Sequence, residues 1–248
     1  MGLRQGFPAR GPYAKTAIAV LIAALAVVAW LSSSTGASSA SRPHLTLHGP
    51  QRGSTLRLSV SHGRLVLRGR MPHHHQRNCR FRHHFLRGSC RLAGMRYVKL
   101  KMGPRGDFVR VTHRIGRPLV VLLGPGSDKF IGNGERDICF PGGSRRNRCV
   151  GGPGNDRCVT GPRNSDCVGG AGNDFCRAST GSDGCWGGPG RDVCRMGPGQ
   201  DGCHGEGGSD RLYGGADPDR LYGGPGWDYC NGGPGRGKSQ GCNAGPRH

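Results

Sequence analysis

From residue 149 an apolar or sulfur-bearing side chain recurs at every ninth position: Cys149, Cys158, Cys167, Cys176, Cys185, Cys194 and Cys203, then Leu212, Leu221 and Cys230. A fixed period of this length marks a repeat architecture, in which each repeat supplies one residue to a shared interior. The frame continues upstream as GNGERDICF and LGPGSDKFI if one residue, Pro141, is inserted after Phe140, giving twelve repeats from Leu123 to Asn231. Before the repeats the pattern changes to short alternating stretches: LRLSV from Leu56, RLVLR from Arg64, RYVKLKM from Arg96, DFVRV from Asp107 and PLVVLL from Pro118. These read as strands, and the intervening HG and GPRG read as the turns of two hairpins. A small β-layer over 41–122 is therefore expected, closing the open N-terminal end that every solenoid must cover.

The first forty residues follow neither pattern. Arg4, Arg10 and Lys15 precede TAIAVLIAALAVVAWL, 16 residues without a charge, and then SSSTGASSAS. That is the layout of a secretory signal over 1–40, with Thr35 and Ala37, or Ser38 and Ala40, at cleavage positions. An uncleaved membrane anchor is the rival, because the apolar run is only a little shorter than a bilayer span. Both readings place the remaining chain in an extracellular, oxidising compartment, where disulfides persist.

Composition limits what can hold such a chain together. With 48 Gly, 17 Pro and 34% hydrophobic residues, a large conventional core is excluded. The 12 cysteines and a set of regularly spaced acids are the alternatives. Charge divides the chain as well. Residues 42–122 hold 18 Lys plus Arg against one acid, Asp107, whereas 123–231 hold 12 basic and 14 acidic residues, so the net charge of +21 belongs to the N-terminal part.

Written in the nine-residue frame, the segments include GGPGNDRCV from Gly151, GGAGNDFCR from Gly169, GGPGRDVCR from Gly187 and GGPGWDYCN from Gly223, a consensus of G-G-x-G-x-D-x-U-x. This resembles the RTX (hemolysin-type) calcium-binding nonapeptide repeats, over a little under half of the chain. The resemblance implies an all-β fold, a parallel β-roll or right-handed β-solenoid. In it each nonapeptide is a Gly-rich turn followed by a very short strand, two make one turn, and calcium lies between successive turns on each side. Carried over position by position, the ligands are Asp128, Asp137, Asp156, Asp174, Asp183, Asp192, Asp201, Asp210, Asp219 and Asp228. The chemistry is apt, since Ca²⁺ takes oxygen ligands, carboxylates and carbonyls above all. Two repeats depart: Asn147 and Ser165 stand where the aspartate belongs, with Asp166 displaced by one. Both fall on one side of a roll, which leaves Asp156, Asp174, Asp192, Asp210 and Asp228 intact on the other and leads to an expectation of about six sites. Aspartates that only close Asx turns are the plainer alternative.

Within such a roll the cysteines point inward. Residues 18 apart stack on neighbouring turns at about 4.8 Å, inside the reach of a disulfide, whereas cross-core partners start near the roughly 10 Å spacing of packed sheets. Stacking pairs Cys149 with Cys167, Cys185 with Cys203, Cys139 with Cys158 and Cys176 with Cys194, leaving Cys230 for Cys242 in the 232–248 tail and Cys79 for Cys90. A cross-core scheme also closes without a leftover thiol, and both stay open; free thiols and soft-metal binding are further alternatives.

No H-E-x-x-H occurs, so the expected function is that of a non-enzymatic, calcium-stabilised binding or structural module. Adhesin-like retention on anionic cell-surface polymers through the Arg-rich segment is the alternative, with no specific nucleic-acid partner expected. The membrane enters only through an uncleaved N-terminal segment. His73, His74, His75, His83 and His84 form a cluster whose spacing fixes no metal geometry.

Overall fold

The computed structural model describes residues 44–50, 53–69, 78–82, 87–143, 146–235 and 237–244. These belong to one compact unit, Pro43–His248. The apolar N-terminal run and the five clustered histidines lie outside the described residues.

All regular structure among the described residues is strand. The basic segment supplies β1 (Leu45–His48), β2 (Thr55–Ser61), β3 (Arg64–Arg68), β4 (Cys79–Arg82), β5 (Arg87–Arg91), β6 (Val98–Lys101), β7 (Phe108–Val111) and β8 (Leu119–Gly124). The nonapeptides supply β9 (Lys129–Ile131), β10 (Ile138–Pro141), β11 (Asn147–Val150), β12 (Arg157–Val159), β13 (Ser165–Val168), β14 (Phe175–Arg177) and β15 (Gly184–Gly190). They continue with β16 (Val193–Arg195), β17 (Gly202–Gly208), β18 (Arg211–Tyr213), β19 (Arg220–Tyr222) and β20 (Tyr229–Asn231), and β21 (Lys238–Gln240) follows in the tail.

Two sheets face each other. One runs β1-β6-β8-β10-β12-β14-β16-β18-β20; the other runs β21-β19-β17-β15-β13-β11-β9-β7-β2-β3-β5-β4. From β6 onward the chain alternates between sheets and every pairing is parallel, which is the winding of a β-roll. From β8 onward successive turns lie 18 residues apart, except across the segment between Phe140 and Asn147, where the step is 19; from β6 to β8 and from β7 to β9 the step is 21. The register also shifts at Phe140/Pro141, where the nonapeptide frame carries its extra residue.

The roll begins well before the first nonapeptide. LRLSV and RLVLR do pair as a hairpin, β2 against β3. RYVKLKM and DFVRV do not: β6 joins one sheet and β7 the other, and GPRG between them is a turn of the roll. Alternation alone cannot separate these cases, because a strand with one buried face looks the same whichever neighbour it has. Residues 44–122 thus contribute full turns to the solenoid, and only β3, β5 and β4 add an antiparallel extension at one sheet's end.

Along the roll the core becomes thinner. Early strands each bury two apolar residues, Leu56 with Leu58, Val98 with Leu100 and Val109 with Val111. From β9 to β20 each three-residue strand buries its central residue, which is Cys in four of the seven, and only β12 buries a second, Val159. The tight corners depend on glycine. Gly170 has φ +116°, and a Cβ there would run into the Gly152 carbonyl of the preceding turn.

Thinness decides the cross-links. The structure joins Cys139 to Cys149 and Cys185 to Cys194 across the core, with Cα atoms 6.3 and 6.5 Å apart. One small residue per strand lets the sheets approach far closer than two packed layers, so the spacing that favoured stacking does not apply. Cys149 and Cys167 do stand in register on neighbouring strands, as do Cys185 and Cys203, but neither pair is bonded. Cys158, Cys167, Cys176 and Cys203 are buried thiols, which overturns the expectation that every cysteine is paired. Cys79 bonds Cys90, and Cys230 bonds Cys242 in the tail.

Candidate metal centres

Each nonapeptide places its Asp immediately before the inward-facing strand, at the corner where the glycine turn ends. The ten sequence-predicted aspartates are all buried there, in two rows along the two edges of the roll. Within a row, the backbone N–H of one acid donates to Oδ1 of the acid one turn further on. In the first row Asp137 donates to Asp156, Asp156 to Asp174, Asp174 to Asp192, Asp192 to Asp210 and Asp210 to Asp228, at 2.6–2.9 Å. Leu119 N–H opens this row on Asp137, and Asn243 Oδ1 closes it on Asp228. In the second row Asp128 N–H donates to Asn147, Ser165 to Asp183, Asp183 to Asp201 and Asp201 to Asp219. The interruption foreseen at Asn147 and Ser165 therefore lies in this row.

One member was missed. Asp107 is buried, donates its N–H to Asp128 Oδ1 at 2.8 Å, and accepts the N–H of Ser54 at 2.8 Å. The signal was its own turn, GPRGD, a shortened version of the repeat corner. It was hidden because 21 residues, not 18, separate it from Asp128.

The hydrogen bonds use only half of each carboxylate. Oδ2 of Asp107, Asp128, Asp156, Asp174, Asp183, Asp192, Asp201, Asp210, Asp219 and Asp228 is buried without a partner among the described residues. Asp137 is the exception, being held also by the Asn133 N–H. The Oδ1 bonds join residues 18 or more apart on neighbouring turns, unlike the local bonds of Asx turns. The surroundings are oxygen too: a Cβ placed on Gly169 would meet both Asp174 Oδ2 and the Gly187 carbonyl. At Gly205 it would meet Asp210 Oδ2 and the Gly223 carbonyl, and at Gly223, Asp228 Oδ2 and the Gly241 carbonyl. Glycine thus leaves room for a carboxylate oxygen and a carbonyl oxygen to converge. This is the donor set that a hard divalent cation takes.

Electrostatics agree. Burial, with neighbouring carboxylates adding to it, pushes Asp156 up to about 8 and Asp183 and Asp192 to about 7. Burial likewise raises Asp137 to about 7, and Asp128, Asp174, Asp201 and Asp219 to about 6. Asp107 and Asp210 move in the same direction. A chain of carboxylates that resists ionisation is one that lacks counter-charge.

Four copies of the RTX calcium-binding nonapeptide repeat match residues 168–194 and 204–237. The chain carries RTX repeats. No curated protein and no solved structure matches it. The matched RTX segments contain Asp174, Asp183, Asp192, Asp210, Asp219 and Asp228, and the same hydrogen-bonded rows run on through unmatched turns as far as Asp107 and Asp137. The cysteine core offers no comparable site. The sulfurs of Cys185, Cys194 and Cys203 lie within 4.8 Å of one another, but two of them are bonded together.

Proposed function

We propose that this chain is an exported calcium-binding module, whose RTX repeats hold several Ca²⁺ ions along the two edges of the roll. The observation that carries the reading is the paired row of buried aspartates, with one oxygen tied to the preceding turn and, Asp137 excepted, the other bare. The carboxylates of Asp156, Asp174, Asp192, Asp210 and Asp228, with adjacent glycine carbonyls, would hold the ions on the uninterrupted edge. Asp183, Asp201 and Asp219 would do so on the other. Four sites on the first edge and two on the second, about six, follow from counting consecutive acids. A bound ion supplies positive charge between turns, which removes the cost of burying ionised carboxylates. Export is supported by the uncharged 16-residue run behind Arg4, Arg10 and Lys15, and by disulfides, which persist in oxidising compartments.

Calorimetric titration with calcium tests this directly. Several ions per chain are expected, with binding kept in the oxidised protein and weakened after reduction. Absence of heat at millimolar calcium would overturn the reading. A second role, retention of the protein on anionic surface polymers, is supported by the exposed arginines of the N-terminal turns.

A further inference from the structure

Strands β7, β2, β3, β5 and β4 lie side by side, and their registers bring one arginine from each into a single line. Arg110 faces Arg57, Arg57 faces Arg68, Arg68 faces Arg87 and Arg87 faces Arg82. All five are exposed, on the outer face, because Leu56, Leu58, Leu65, Leu67 and Val109 alternate with them into the core. None of the five makes an ion pair or side-chain hydrogen bond among the described residues. Nor can the chain preceding them help, since no Asp or Glu occurs before Asp107 and Asp107 is buried.

Like charges directly opposite one another on a sheet are destabilising, so five in a row oppose the pairing that creates them. Side-chain packing does not require this, because the positions face solvent. The arrangement makes physical sense as one half of an ionic contact. We propose that this arginine line is a binding site for a linear polyanion, specifically an acidic polysaccharide carrying one carboxylate per sugar residue. The proposal rests on the second reading above and is independent of calcium binding.

Three features select that ligand class. The guanidinium groups follow the strand spacing of about 4.8 Å, comparable to the length of one pyranose, so a polymer lying across the strands presents charge at a matching interval. Each guanidinium can grip a carboxylate through two parallel N–H···O bonds. The adjacent line is Ser59, Val66, Ser89 and Arg80, whose hydroxyls suit sugar hydroxyls. That line holds no aromatic ring on which a nucleobase could stack, and Phe108 on the other flank carries the Lys129 ammonium over its ring, so the stacking platform that single-stranded nucleic-acid sites rely on is missing among the described residues. A flat sheet face enters neither groove of a duplex. Fluid anionic lipid needs basic charge but no straight line of it.

The test uses the full chain in calcium. Affinities for a short galacturonic-acid oligomer, single-stranded DNA and anionic phospholipid vesicles are measured for three proteins. These are the wild type, Arg57→Gln/Arg68→Gln/Arg87→Gln, and a control, Arg177→Gln/Arg195→Gln/Arg211→Gln, which loses equal charge from exposed positions of the other sheet. The line variant should lose at least about tenfold in oligouronate affinity and the control less than about twofold. Without ligand the line variant should melt no lower than wild type, because repulsion has been relieved, so its lost binding cannot be ascribed to unfolding. Equal losses in both variants would show a net-charge effect and overturn the site. Tighter binding of DNA or vesicles than of oligouronate would overturn the ligand class. If the wild type binds and the line variant matches it, polymer retention stands and this site falls. If the wild type binds no oligouronate, the site falls, and the retention reading falls with it for this ligand.

Discussion

Asn147 follows Asp128 in its row at a place that aspartate holds in most repeats, and its amide satisfies both its polar atoms. Oδ1 accepts the Asp128 N–H at 2.8 Å, and Nδ2 donates to the Gly142 carbonyl at 2.7 Å. An aspartate can manage only the first of these, which leaves Oδ2 bare. Asparagine is therefore the better residue for a roll without ions, and aspartate the better one for a roll with them. The consequence is a variant whose two effects have opposite signs. Asp192→Asn should stabilise the ion-free protein near neutral pH, where the carboxylate is held up to about 7 by burial, by on the order of 1 kcal/mol. The same change should reduce the stabilisation gained on adding calcium. Thermal melts of both proteins with and without calcium measure both effects, and a variant that loses stability in both conditions would count against the cation reading. The candidate ligands were legible in the sequence because coordination demands a carboxylate at a fixed place beside glycine. Asp107 was not, because its corner is shorter and its spacing irregular, although its chemistry is the same.

At the scale of the strand, the sequence period shows which residues stack but not how far apart the two sheets lie. Cys149 and Cys167 share a column whether the roll is thick or thin. Thickness follows from side-chain volume: two leucines per strand hold sheets apart, and a single cysteine does not. Cross-core bridges at Cα separations of 6.3 and 6.5 Å express that collapse. The phase of the bridges then matters. Between Cys149 and Cys185 lie three inward cysteines, Cys158, Cys167 and Cys176, an odd number that cannot pair completely among themselves. Burial shuts these three and Cys203 off from reagents in solution; it also pushes the Cys167 and Cys203 thiols well up, whereas hydrogen bonds from Cys167 and Cys176 hold Cys158 down. Iodoacetamide should accordingly label none of these four cysteines in the folded protein and all four after unfolding without reductant. Mass spectrometry of the digested, alkylated chain counts them, and labelling of Cys139, Cys149, Cys185 or Cys194 would contradict the pairing.

For the whole molecule, the proposed calcium sites and the protons of the two aspartate rows would share the same oxygens, which makes the two occupancies linked. Most of the rows' carboxylates have pKa values raised by burial, from the ordinary range to about 6, 7 or 8. A raised carboxylate pKa means that the fold prefers the neutral form, so folding takes up protons. That contribution is complete below about pH 4 and is lost as pH rises through the folded values, between about 6 and 8. The surface opposes this trend, because a chain of net charge +21 at pH 7 becomes more positive in acid. Those cations are exposed, however, and moderate salt screens them while leaving the buried rows almost untouched. In salt and without metal, the protein should therefore melt at a lower temperature near pH 8 than near pH 5. Calcium held as proposed would compete with protons for the same oxygens, so its stabilising effect should grow over this interval and largely vanish toward acid. Circular-dichroism melts across this pH range, with and without calcium, trace both curves. They should converge at the acid end and separate toward neutral pH. Parallel curves would mean that cations and protons do not share a site, and the two rows of aspartates would need another explanation.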